Sequence, residues 1–158
     1  MAVRRDAAVA HGNRNRVPII FSNIRRKFMN SFFNFYYDEI CPALRALDIK
    51  IKEHCNTVDI DELSNLLHIT PKEINTILNS KHITNLTSDI IPTIMLNGSS
   101  YICKLFKKSL SYCNSKTYSP DDIAYIYNID KQKVKKAFNI LHITEISEAN
   151  LPKLFKLI

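Results

Sequence analysis

The side chains able to bind or react are spread unevenly along this chain. Residues 1–30 hold seven arginines and lysines against one acid, Asp6, whereas residues 57–95 hold two bases and five acids. Residues 96–116 carry four lysines and no acid, and residues 117–158 carry six lysines against five acids. Positive charge is thus gathered into an N-terminal arm, a central segment and one late segment, in a chain of net charge +7. That segregation suits a polyanion partner.

Catalytic spacings are missing. There is no HExxH, GxSxG, Walker loop or Gly-rich dinucleotide turn, and no arginine in 96–158 to serve a tyrosine nucleophile among Tyr101, Tyr112, Tyr118, Tyr125 and Tyr127. The expectation is a protein that is not an enzyme and uses no cofactor. Cys41, Cys55, Cys103 and Cys113 form no CxxC pair and fall at or near apolar positions of helical patterns, which predicts reduced, mostly buried thiols in an intracellular protein. A zinc site would need ligands from distant segments, with His54 beside Cys55 the sole hint, and no metal is expected.

These side chains must be positioned by helices. The chain has two glycines, Gly12 and Gly98, too few for a fold of tight hairpins. No apolar stretch reaches bilayer-spanning length, and no membrane partner is expected. Residues 57–95 align without a gap on residues 117–155 at an offset of 60. Identical pairs are Thr57/Thr117, Asp61/Asp121, Ile69/Ile129, Asn79/Asn139, His82/His142, Ile83/Ile143, Thr84/Thr144 and Pro92/Pro152. The apolar pattern keeps the same register, as in Leu63/Ile123, Ile74/Val134 and Leu78/Phe138, which reads as a duplication.

Each copy reads as helix, short turn, helix, link and short helix. Asp59 caps a helix through Leu67; Thr70 caps the next, with Pro71 at its first position and Glu73 spaced for a capping box. In the second copy Ser119 and Asp130 cap, and Ile123, Ile126, Tyr127, Val134, Ala137 and Phe138 face inward. A helix precedes each pair, marked by Ile40, Leu44, Leu47 and Ile51, and by Ile102, Leu105 or Phe106, and Cys113. The fold class expected is all-α: two tandem trihelical units of about 60 residues, 38–95 and 96–158. No wing is expected, because nothing after either second helix looks like a hairpin.

At 60–79 and 120–139 the chain resembles the helix-turn-helix class of DNA-binding proteins. The first copy supplies Leu63-Ser64, His68-Ile69, Ile74 and Ile77; the second supplies Ile123-Ala124, Asn128-Ile129, Val134 and Ala137. The turn slot usually filled by Gly is His68 in one copy and Asn128 in the other. By position, the resemblance places outward Thr70, Pro71, Lys72, Asn75, Thr76 and Asn79, and Asp130, Lys131, Gln132, Lys135, Lys136 and Asn139, and implies that all of these but Pro71 and Asp130 face DNA. Such side chains suit adenine edges, guanine acceptors and phosphates, and the helix N-terminus can meet phosphate too. The plain alternative is that the lysines only form a solvated face.

Residues 1–17 lack apolar periodicity and read as a disordered basic arm whose Arg4, Arg5, Arg14 and Arg16 could enter a minor groove. Residues 18–37 read as an aromatic and basic helix, to be buried on the first unit or in a homodimer through residues 20–37. The resulting expectation is a double-stranded DNA-binding transcriptional regulator, cytoplasmic or nucleoid-associated. The alternatives are a helix-turn-helix adaptor for protein partners and an architectural DNA coater using Lys104, Lys107 and Lys108.

Overall fold

A computed structural model describes residues 31–158. The basic arm 1–17, with Arg4, Arg5, Arg14 and Arg16, and residues 18–30 of the aromatic segment lie outside the described residues. The described chain is all-helical, without a named strand.

Helix α1 (Phe32–Phe35) runs through a π-helical turn (Tyr36–Ile40) into α2 (Cys41–Lys52). Then follow α3 (Ile60–Leu67), α4 (Pro71–Ser80), α5 (Ile91–Asn97), α6 (Tyr101–Ser109), α7 (Pro120–Tyr127), α8 (Lys131–Leu141) and α9 (Leu151–Phe155). Short 3-10 turns at Ser88–Ile90 and Glu148–Asn150 lead into α5 and α9, each of which carries a proline in its first turn. Proline fits there because its missing N–H has no intrahelical partner to lose.

Helix boundaries follow local chemistry. Asp59 accepts from the Glu62 N–H, Thr70 from the Glu73 N–H and Ser119 from the Asp122 N–H, each satisfying an orphan donor at a helix start. At the other ends, His68 (φ 53°), His82 (φ 56°), Asn128 (φ 54°) and His142 (φ 53°) adopt the left-handed conformation that stops a helix. Backbone hydrogen bonds recur at the same sequence offset. Ile69 N–H donates to Ser64 O (3.2 Å) as Ile129 N–H does to Ala124 O (3.1 Å). Val58 N–H donates to Leu86 O (2.9 Å) as Tyr118 N–H does to Ile146 O (2.8 Å). Tyr118 and Ile146 also form an isolated antiparallel bridge, too short to make a wing.

The core draws from end to end of the described chain. Ile40 and Leu47 of the first helical run, Leu63, Leu67 and Ile74 of α3 and α4, Ile94 of α5 and Ile102 of α6 are all buried in it. Ile123, Val134 and Phe138 of α7 and α8, with Leu154 and Phe155 of α9, complete it. Gly98 permits a close approach: a Cβ there would lie 2.5 Å from Cys103 Sγ.

Three expectations need correcting. The Thr70–Glu73 capping box is only half formed, because the Glu73 carboxylate accepts from Ser99 N–H (2.7 Å) instead of returning to Thr70. The full box belongs to Ser119 and Asp122. Of the four thiols Cys103 alone is buried; Cys41 is half-buried, and Cys55 and Cys113 are exposed. Both exposed cysteines lie beyond helix ends, where 3.6-residue periodicity no longer says which side faces the core. The described part of the aromatic segment packs on the second half of the chain, not the first. Phe32 and Tyr36 lie 4.9 and 5.0 Å from the Phe155 ring, and Phe35 lies 5.2 Å from Tyr101. Residues 32–37 are thereby engaged within the chain, and the part of the proposed homodimer surface at 20–30 lies outside the described residues.

Candidate nucleic-acid interface

Among the described residues the densest array of outward lysines stands on α8, and the sequence explains why. Ser119 Oγ and the Asp122 carboxylate start α7 reciprocally, with Ser119 N–H donating to Asp122 Oδ2 at 2.8 Å. Asn128 ends α7 in a left-handed turn, Ile129 tucks under it, and Asp130 begins α8 by accepting from Gln132 N–H (2.9 Å) and Lys133 N–H (3.0 Å). Val134, Ala137 and Phe138, spaced three and four apart, bury one face of α8. Lys131, Gln132, Lys133, Lys135, Lys136 and Asn139 are left on the exposed remainder.

Their engagements differ. Lys131 Nζ donates to Asp121 Oδ2 at 2.6 Å, and that ammonium, with Lys135 adding to it, holds the Asp121 carboxyl below its usual range. Gln132, Lys135, Lys136 and Asn139 make no side-chain hydrogen bond or ion pair among the described residues. Lys133, outside the residues implied by the resemblance, is exposed and equally unpaired. Its signal was its place among four lysines in six residues. Asp130 bears on the expectation that phosphate meets the helix N-terminus. Its carboxylate already occupies the first-turn N–H groups, so anion binding on α8 falls to the lysines.

Helix α4 presents the corresponding residues with less charge. Thr70, Lys72, Asn75, Thr76 and Asn79 are all exposed. Thr70 Oγ1 caps its own helix by accepting from Glu73 N–H at 3.1 Å, and Thr76 Oγ1 donates to Lys72 O at 2.8 Å. Lys72, Asn75 and Asn79 keep free polar ends among the described residues. The turn before α4 has a lock that the second copy lacks. Ser64 Oγ, buried, donates to Ile69 O at 2.6 Å, where Ala124 has no hydroxyl.

The lysines of α6 divide. Lys104 and Lys107 are exposed, but Lys108 Nζ donates to Tyr125 O (2.7 Å) and lies 4.7 Å over the Tyr125 ring. Lys108 is spent on the C-terminal end of α7 and is not displayed for phosphate.

Tyr36, Tyr101 and Tyr127 are held as neutral phenols. Tyr101 Oη donates to Tyr127 O at 2.8 Å, and burial raises the pKa of both Tyr36 and Tyr101. Burial first pushes Tyr127 up to about 12, against a Tyr36 hydrogen bond that pulls it down. Phenols so protonated at neutral pH are poor nucleophiles. Among the described residues no three His, Cys, Asp or Glu side chains gather as metal ligands, and no helix is long and apolar enough to cross a membrane.

Comparison of the chain with protein-family models, curated proteins and solved structures gives no match.

Proposed function

We propose that this chain is a double-stranded DNA-binding protein, a transcriptional regulator built of tandem helix-turn-helix units, whose principal reader is α8. One observation carries the reading. The helix after the left-handed Asn128 turn buries Val134, Ala137 and Phe138 and displays Lys131, Gln132, Lys133, Lys135, Lys136 and Asn139 on the opposite side. That is the disposition a major-groove helix needs: apolar anchors beneath, donors for phosphates and base edges above. Backbone hydrogen bonds and helix-ending residues that recur sixty positions apart support treating 38–95 and 96–158 as two copies of one unit.

Within that reading Lys135 and Lys136 neutralise phosphates, Gln132 and Asn139 reach base edges, and Lys131 joins them on leaving Asp121. Arg4, Arg5, Arg14 and Arg16 add phosphate or minor-groove contacts from the arm. Anisotropy titration of labelled duplexes with the full chain tests this. Affinity should fall with salt at a logarithmic slope of about −0.9 per phosphate neutralised. Absence of binding at low salt ends the proposal.

The first unit favours a second role. Helix α4 carries Lys72 and Glu73 where α8 carries four lysines. At the start of α3 the Asp61 carboxylate makes no side-chain hydrogen bond or ion pair among the described residues, while Asp59 caps the helix and Glu62 holds Lys50 at 2.7 Å. This surface is suited to a basic protein partner, which makes the chain an adaptor between DNA and protein.

A further inference from the structure

A cavity of about 180 Å³ opens beside α2, α6 and α7, at a place the DNA reading does not use. Tyr36, Tyr112, Tyr118 and Tyr127 line it with Phe106, and Glu148 is the single charged residue of that lining among the described residues. At this size it lies below the roughly 300–1,000 Å³ of drug-sized pockets, so its occupant is a head group of a few heavy atoms.

The walls offer aromatic surface more than free hydroxyls. Burial raises the Tyr36, Tyr112, Tyr118 and Tyr127 phenols alike, so the walls stay neutral. The Tyr36 and Tyr127 rings meet edge to face at 80° with centroids 5.4 Å apart, and Phe155 braces both at 5.0 and 4.9 Å. Tyr118 stacks on no other ring among the described residues. The Glu148 carboxylate makes no ion pair and no side-chain hydrogen bond among the described residues. Lys108, whose helix forms one wall, is turned to Tyr125 instead. After burial, the Glu148 charge is the next cause that raises the Tyr118 phenol, so its field reaches that ring.

We propose that this tyrosine-lined cavity binds a methylated organic ammonium head group, with the rings contacting its methyl groups and Glu148 compensating its charge. Aromatic surface beside a lone carboxylate favours a cation that asks for few hydrogen bonds. A guanidinium or primary ammonium would want several acceptors, and Glu148 is the one carboxylate of the lining among the described residues.

Isothermal titration of the full chain with choline, its uncharged isostere 3,3-dimethylbutan-1-ol and methylguanidinium tests the assignment. Saturable choline binding is expected in the millimolar range, about tenfold tighter than the isostere and than methylguanidinium. Glu148→Gln should weaken choline by about tenfold while leaving the helical circular dichroism unchanged. Lack of saturation with choline overturns the proposal, as does equal affinity for the uncharged isostere, which would mark a plain apolar hole. Methylguanidinium binding more tightly than choline, or choline affinity indifferent to Glu148→Gln, overturns it as well. The isostere comparison uses the unaltered protein and stands whatever the variant does.

Discussion

Lys131 Nζ and Asp121 Oδ2 lie 2.6 Å apart, an ion pair that ties the first turn of α8 to the first turn of α7. Both side chains are about half exposed, at 52% and 59%, so the pair is screened and exchangeable. Within the DNA reading, Asp121 is a competitor that holds one lysine back from phosphate.

Asp121→Asn should therefore strengthen DNA binding. One more lysine becomes free to displace a counterion, and the salt slope should steepen by about 0.9. Anisotropy titrations at several salt concentrations read both quantities. Weaker binding by the variant would mean that Asp121 orients Lys131 for contact instead of competing for it.

Gln132→Ala should relax sequence choice while leaving the salt slope unchanged, because an amide reads base edges and carries no charge. Loss of one good bidentate base contact is worth about 1–3 kcal/mol of discrimination. Selection of bound duplexes from a random pool, repeated with the variant, measures it. An unchanged selected site would remove Gln132 from the reader.

Gly98→Ala should destabilise the protein by about 1–3 kcal/mol, the usual cost of forcing extra volume into a packed site. The new Cβ would lie 2.5 Å from Cys103 Sγ and 3.3 Å from Ile94 O. Cys103→Ala removes the sulfur, so the double variant should lose less than the sum of the singles in thermal melts. Simple additivity would show that the backbone contact, not the thiol, sets the limit.

His68 and His82 hold left-handed backbone where glycine is at ease. Replacing either by Gly should stabilise by about 0.5–1 kcal/mol, the left-handed penalty less the entropy of freeing glycine in the unfolded chain. Replacement by Ala should give no such gain. Chemical denaturation of the single variants checks both directions, and a loss with Gly would show that the imidazoles themselves hold these helix ends.

Alkaline titration probes the tyrosine cluster. Burial raises Tyr127 from 10.0 to about 12, so the folded state keeps a proton that the unfolded chain gives up first. The resulting stability is complete below about pH 10 and drains away as pH climbs toward about 12, about 3 kcal/mol for this group. Tyr127→Phe should shrink the loss without abolishing it, because burial raises Tyr36 and Tyr101 in the same direction. A stability profile unaltered by the substitution would contradict this.

The all-helical class was legible because local signals agreed: few glycines, apolar stripes at three and four spacing, and Asp59, Thr70, Ser119 and Asp130 at helix starts. What escaped was decided at a distance. Nothing near Glu73 says that its carboxylate will leave Thr70 for Ser99, twenty-six residues on. The Phe32–Tyr36 stripe announces burial but not that Phe155 and Tyr127 will cover it. On α8 the apolar anchors Val134, Ala137 and Phe138 determined which lysines face outward, yet periodicity is blind to the Asp121 carboxylate that engages one of them.

The most direct measurement is a salt-series anisotropy titration of duplex DNA with the full chain and with the Lys131→Ala, Lys135→Ala, Lys136→Ala triple variant, folding being checked by circular dichroism. Lys135 and Lys136 at about 0.9 each, with Lys131 held by Asp121 in the parent, should make the variant's logarithmic slope shallower by about 2, with weaker binding to every duplex at low salt. A well-folded variant that binds with the parent's slope and affinity would contradict α8 as the surface that meets DNA.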